Sequence, residues 1–141
     1  MARPTTVAME RLFQAFADGT RLRLLNLMAE QEVCVCYFVE ILGVSQPTIS
    51  RHLAYLRRVG LVAARREGKW MHYRIIVPEN EFARQLLSGT LRWLATDRHM
   101  QQDSSRLSRA CCAPQQFVKL RGAPAPTPRA ERISEAQVTE T

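Results

Sequence analysis

Two pairs of cysteines are the residues in this chain best suited to chemistry: Cys34 and Cys36, one residue apart in "EVCVCYF", and the adjacent Cys111 and Cys112. Thiolates are soft ligands as well as nucleophiles. In a reducing compartment such close pairs read as metal, metalloid or redox sites, where in a secreted mini-protein they would read as a disulfide framework. The N-terminal stretch "MARPTTVAMERLF" has neither the apolar block nor the cleavage site of a signal peptide, so a cytoplasmic location with free thiols is expected. No apolar run approaches the about eighteen residues of a membrane span, and no membrane partner is expected. Residues i and i+2 of an ideal helix point about 200° apart, whereas in extended backbone they share a face. Joint chelation by Cys34 and Cys36 therefore favours a non-helical start to the element that carries them.

Charge supplies the second clue. The 141 residues carry a net charge of +7, which suggests a polyanionic partner. The excess is concentrated: between Ser45 and Val77 stand Arg51, Arg57, Arg58, Arg65, Arg66, Lys69 and Arg74 against one acid, Glu67. That is the footprint of a nucleic-acid binder. RNA readout calls for open aromatic platforms, and Tyr55, Trp70 and Tyr73 suit packing better. A thiol enzyme would need a C-x-x-C or a phosphate-cradling loop on an α/β scaffold. Neither is present, so no enzymatic activity is expected.

The elements that position these groups follow from periodicity. Met9, Leu12, Phe13 and Phe16 share one face of a helix over Val7 to Ala17. Asp18 is a natural N-cap for the next helix, whose Leu22, Leu24, Leu25, Leu27 and Met28 make it nearly all core. A short third helix runs from Val33 or Cys34 to Leu42 and stops at Gly43. Ser45 caps a fourth, "QPTISRHLAYLRRVG", with Pro47 in its first turn and Gly60 at its C′ position. Two short helices joined by a tight turn, the second rich in polar groups, read as a helix-turn-helix. Two strand-like runs then flank Glu67-Gly68 and form a basic hairpin. The fold class expected is mainly α with a small β-hairpin, a winged helix-turn-helix. After Pro78 one long amphipathic helix, interrupted at Gly89, carries Phe82, Leu86, Leu87, Leu91, Trp93 and Leu94. Its surplus apolar surface suggests dimerisation through the terminal helices. The resulting division is 1–100 as DNA-binding and dimerisation domain, 101–121 as an extension bearing Cys111 and Cys112, and 122–141 as a disordered tail.

A recognition helix needs short hydrogen-bonding side chains on its exposed N-terminal turns. Gln46, Thr48, Ser50, Arg51 and His52 meet that need. Tyr55, Arg57 and Arg58 lie further along, suited to phosphates, and Arg65, Arg66 and Lys69 on the wing suit backbone or minor groove.

The stretches "FADGTRLRLLNLM" and "EVCVCYFVEILGVSQPTISRHLAYLRRVGLVAARREGKWMHYRI", with the helix after Pro78, resemble the ArsR/SmtB family of bacterial metalloregulatory repressors over about residues 10–96. The resemblance implies a homodimer that binds double-stranded operator DNA and lets go when a thiophilic ion is bound. It implies Cys34 and Cys36 as ligands of trivalent arsenic or antimony. The arsenic-responsive members typically add a third cysteine three residues on, where this chain has Val39. Cys111 and Cys112 then supply the missing sulfur, from the same or the partner chain, or form a separate dithiol site. Four sulfurs from both pairs would suit cadmium, lead or zinc, yet the N-terminal arm that serves cadmium-sensing relatives has no cysteine here. Asp97 and His99 echo the zinc-sensing pattern only near the wrong end of the helix. A thiol-based sensor of oxidants or reactive sulfur on the same fold is the alternative to ion sensing.

Overall fold

The computed structural model describes residues 6–128. The chain runs α1 (Thr6–Phe16), α2 (Gly19–Leu27), β1 (Gln31–Cys34), α3 (Val35–Leu42), α4 (Gln46–Arg58), β2 (Val62–Glu67), β3 (Trp70–Ile75), α5 (Glu81–Leu94), α6 (Arg98–Cys112), two 3₁₀ turns (Pro114–Gln116 and Val118–Leu120) and β4 (Thr127–Pro128). This is the expected winged helix-turn-helix, mostly helical with a small antiparallel sheet. The core is built on α2, α3 and α4. Leu24, Leu25 and Met28 meet Tyr37 and Phe38, and Ile49, Leu53 and Leu56 of α4 close it from below, all with essentially no exposed surface. The spacing of the last three places them on one helical stripe, so the opposite face of α4 is left to solvent.

Local signals set most boundaries. Asp18 accepts a hydrogen bond from the Arg21 amide at 3.0 Å, the N-cap expected. Gly60 ends α4 with φ 82, the left-handed backbone that a residue without Cβ adopts freely. Gly68, at φ 58, opens the two-residue turn that pairs Glu67 with Trp70 in the wing. Ser45 occupies the N-cap position of α4 without capping it: its hydroxyl donates to Thr48 Oγ1 at 3.0 Å instead.

Three features differ from expectation. The hairpin belongs to a four-stranded sheet of order β2-β3-β1-β4. Residues 31–34, within which the sequence predicts the start of the third helix at Val33 or Cys34, form β1 and pair with β3 through Val33–Tyr73 and Cys34–His72. Tertiary pairing overrides local helical preference there. The helix after Pro78 is two helices, and the break falls at residues 95–97, not at Gly89, which lies inside α5. Thr96 donates to the Trp93 carbonyl at 2.6 Å and Asp97 N-caps α6 by accepting from the Met100 amide at 3.1 Å, so the sequence carries its own stop and restart. Finally, the stretch from Gly122 does not begin a free tail. Leu120 is fully buried, Ala123 packs against the core, and Thr127–Pro128 pair with Glu32 and Gln31 of β1. Residues 129–141 of that expected tail lie outside the described residues.

The turn at 95–97 folds α6 back over α2 and α3. Asp103, almost completely buried, accepts from Arg23 Nε at 2.7 Å and Nη2 at 3.0 Å, and from Arg106 at 2.6 Å. Asn26 donates to the Met100 carbonyl at 2.9 Å beside it. A buried carboxylate is tolerable only when such partners satisfy it. This cluster fixes where α6, and therefore Cys111, comes to rest.

Candidate DNA-reading face and thiol site

The outer face of α4 exposes Gln46, Ser50, Arg51, Arg57 and Arg58, and the wing exposes Arg66, Lys69 and Arg74. Thr48 is half-buried beside Ser45. Three of the anticipated contact residues are already engaged within the chain. His52 is half-buried, with Nδ1 3.3 Å from the Arg21 guanidinium and 3.9 Å from Asp18. Tyr55 lies under Arg21, whose guanidinium carbon is 4.2 Å from the ring centroid, and its hydroxyl donates to Gln14 at 3.3 Å. Arg65 pairs with Glu32 of β1, its Nη2 2.6 Å from the carboxylate. That guanidinium holds the Glu32 carboxyl below its ordinary range. These residues brace the recognition helix and wing. Arg66 reaches only the Gly68 carbonyl, and Lys69 rests 4.8 Å from the Trp70 ring centroid, so both keep charge at the wing tip.

The thiol pair is built at the junction of β1 and α3. Cys34 ends the strand and N-caps the helix with extended backbone (φ −70, ψ 142), while Cys36 lies in the first helical turn. The non-helical start that joint chelation favours is therefore present, and the two sulfurs stand 3.2 Å apart, Cys36 donating to Cys34. That shared proton lowers the Cys34 thiol to about 6, helped by the amides of Cys36 and Val35 and by neighbouring His72. Cys36, which would have to give up the same proton beside a thiolate, is pushed strongly upward, with burial adding to the effect. The two thiols are thus pushed in opposite directions, Cys34 toward the thiolate and Cys36 toward the thiol, and they titrate as a pair. Cys34 is fully buried and Cys36 half-buried.

Cys111, half-buried at the end of α6, packs against the same core, and burial raises its thiol; Cys112 is exposed. Among the described residues no cluster of three or more His, Cys, Asp or Glu is arranged to hold a metal ion, so the two cysteine pairs are not one preformed site. Two residues at the thiol pair escaped the sequence reading. His72 is buried, 3.0 Å from Glu67, and opposite Cys34 in the strand register; only knowledge of β1 reveals it. Tyr37 is fully buried, and its hydroxyl has no hydrogen-bond partner among the described residues. Burial is the main cause that raises it to about 12, and Cys111, Cys36 and Cys34 add to the shift. Asp97 caps α6 and His99 is exposed.

A reading helix with an exposed basic face, a basic wing, and a buried core behind them define a winged helix-turn-helix regulator. Residues 18–64 match the model of the ArsR family of bacterial regulatory proteins. The chain is 38% identical over 104 residues to the arsenical resistance operon repressor of Escherichia coli K12, covering 73% of this chain and 87% of that one. It is 41% identical over 91 residues to the arsenic resistance transcriptional regulator ArsR1 of Pseudomonas putida, covering 61% and 71%. In structure it is similar to a homodimeric winged helix-turn-helix DNA-binding domain from Mycobacterium bovis, with TM-score 0.52, 30% identity, and 70% and 95% of the two chains covered. The chain belongs to the ArsR family, and is a DNA-binding transcriptional regulator, not an enzyme.

Proposed function

We propose that this protein is a homodimeric repressor that holds a double-stranded operator through α4 and the wing and releases it when trivalent arsenic or antimony binds Cys34 and Cys36. The observation that carries the reading is the 3.2 Å sulfur pair at the start of the helix that precedes the recognition helix. Relatives named for arsenic resistance support it. Among the described residues no third metal-holding side chain joins Cys34 and Cys36, so the ion is assigned to that pair.

Coupling follows from packing. Tyr37, Phe38, Ile41 and Leu42 of α3 are buried together with Ile49, Leu53 and Leu56 of α4. A dense core transmits a shift of one helix to its neighbour rather than absorbing it. An ion bonded at the N-cap displaces the first turn of α3, and α4 moves with it. Taking operator occupancy from nearly full to nearly empty requires a differential affinity of about 5.5 kcal/mol, within the range of metal–thiolate bonding. Gln46, Ser50 and Arg51 address base edges; Arg57, Arg58, Arg66, Lys69 and Arg74 address phosphates. Met9, Phe13 and Phe82 leave an apolar face across α1 and α5, 46%, 56% and 73% exposed, which a second copy of the chain covers. Residues 1–100 serve as the DNA-binding and dimerisation domain, and the extension that carries Cys111 and Cys112 follows it and reaches at least to Pro128.

The test is operator binding by fluorescence anisotropy under reducing conditions, titrated with arsenite, methylarsenite, antimonite and cadmium. Loss of release in Cys34→Ser/Cys36→Ser and its retention in Cys111→Ser/Cys112→Ser is the expected result. The same sulfur proximity favours a second reading, oxidation of the thiols. Release by oxidant, reversed by dithiothreitol, with no response to any ion would replace the first reading by that one.

A further inference from the structure

We infer that Arg21, which lies outside the reading helix, is a positioning residue for operator recognition: its guanidinium ties the C-terminal end of α1 to the flank of α4, and so sets which spacing between operator half-sites the dimer accepts. This rests on the homodimer reading above and deepens it.

Arg21 stands in the first turn of α2, where its amide donates to the Asp18 cap at 3.0 Å. From there the side chain meets two other helices at once. Nε donates to the Ala15 carbonyl at 3.1 Å and Nη2 to the Gln14 carbonyl at 2.8 Å. Both carbonyls belong to the last turn of α1, where a helix runs out of its own donors and favours a cation, and α1 has no basic residue of its own there. On the other side Nη1 lies 3.3 Å from His52 Nδ1, and the guanidinium carbon stands 4.2 Å from the centroid of the Tyr55 ring. The Tyr55 hydroxyl closes the circuit by donating to Gln14 Oε1 at 3.3 Å. An apolar contact would hold α1 against α4 without fixing the angle between them closely, whereas a planar fork with partners in set directions does.

The two ends of this clamp are the two surfaces that a dimeric reader must keep in register. On α1, Gln14 follows Met9 and Phe13, the exposed apolar residues assigned to the partner copy. On α4, Tyr55 shares a row at i, i+4, i+7 with Arg51 and Arg58. Both arginines are exposed, and the Arg58 guanidinium carbon lies 5.6 Å from the centroid of the same ring. Once a second copy is in place, the angle between α1 and α4 fixes the separation of the two reading helices. DNA senses that separation as half-site spacing. One base pair is a coarse step, since it moves a half-site by about 3.4 Å and turns it by about 34°.

The experiment uses the full reduced chain, an operator duplex selected by it from a random-sequence pool, and versions of that duplex with base pairs added or removed at its centre. Affinities are measured by anisotropy for the parent and for Arg21→Lys, which keeps the charge and loses the fork. The parent should prefer the selected spacing. Arg21→Lys should bind that operator about threefold to tenfold more weakly, because the ordering of α4 then falls to the binding step, while its affinities for the altered spacings stay near those of the parent. Each affinity is referred to a random duplex in the same preparation, so a partly unfolded variant does not imitate the result. Gln14→Ala, which removes only the acceptor of the Tyr55 hydroxyl, should flatten the spacing profile in the same direction by a smaller amount. An equal loss at every spacing would make Arg21 a support for the fold alone, and parent behaviour restored by lysine would make it a point charge. Either result, or a dimeric parent indifferent to spacing, overturns the inference and leaves the homodimer standing. A parent that sediments as a monomer on its operator would remove both together.

Discussion

The recognition face and the thiol corner lie on consecutive helices, yet they are built on opposite principles. On α4 and the wing, the working groups are exposed and held apart, and the buried or paired polar residues (His52, Tyr55, Arg65) are supports. At the junction of β1 and α3 the candidate groups are buried or half-buried and crowded: two sulfurs 3.2 Å apart beside a helix whose Tyr37 hydroxyl has no partner among the described residues. A surface that must read a polyanion has charge ready in water, where it costs little to keep. A site that must convert ligand binding into movement has to sit where packing is dense, because only there does one added atom displace a helix.

The sharpest way to break this comparison is to remove the ligand site and leave the surface alone. Cys34→Ser/Cys36→Ser should abolish ion-induced release while operator affinity in the absence of ion, measured by anisotropy, stays near that of the parent. Loss of operator binding instead would mean that the thiols belong to the reading element. Next in size is the anchor of α6. Asp103→Ala leaves Arg23 and Arg106 facing an empty buried position and should cost about 3 kcal/mol of stability, read from urea unfolding. A change within experimental error would show that α6 is not held by that cluster.

Arg51→Ala should lower operator affinity by about 1–3 kcal/mol with no change in melting temperature. Arg65→Ala, by contrast, should act on stability before it acts on DNA, since its guanidinium is committed to Glu32. If the two variants behave alike, the division between readers and supports fails.

The thiol titration sharpens the other side. In the Cys111→Ser/Cys112→Ser background, absorbance at 240 nm should report a single thiolate forming near pH 6, and Cys36→Ala should move that transition upward. The sign for stability follows. Cys34 is depressed, so its contribution is present above its unfolded value near 9 and lost as pH falls through about 6. Cys36 is raised and acts oppositely above 9, which confines the gain to that window. The smallest effect belongs to Glu32. Its depressed carboxyl favours the fold above the unfolded value of 4.5 and ceases to do so as pH falls through its lower folded value. Glu32→Gln should therefore lower the melting temperature slightly at pH 7, and the difference from the parent should close in acid.

Much of this protein is determined locally, and that part is legible in the sequence. The apolar stripe of α4, the Asp18 cap, the left-handed glycines at 60 and 68 and the run of arginines follow from periodicity and turn chemistry, which act over a few residues. The helix-turn-helix and wing could be read from them, and the family from the resemblance of the motifs that contain them. The close spacing of Cys34 and Cys36 marks them in the sequence as a candidate thiol site. Tertiary structure decided the rest, because it depends on which distant segments meet. Strand β1 exists because β3 offers it a partner some forty residues away, and that pairing extends Cys34, turns its sulfur toward Cys36 and brings His72 opposite. The turn at 95–97 and the Asp103 cluster carry α6 back, so that Cys111 packs against the core rather than standing on a free extension. That Tyr37 is a buried donor without a partner among the described residues cannot be read from a tyrosine in a sequence, since whether a polar atom is satisfied depends on every neighbour the fold supplies.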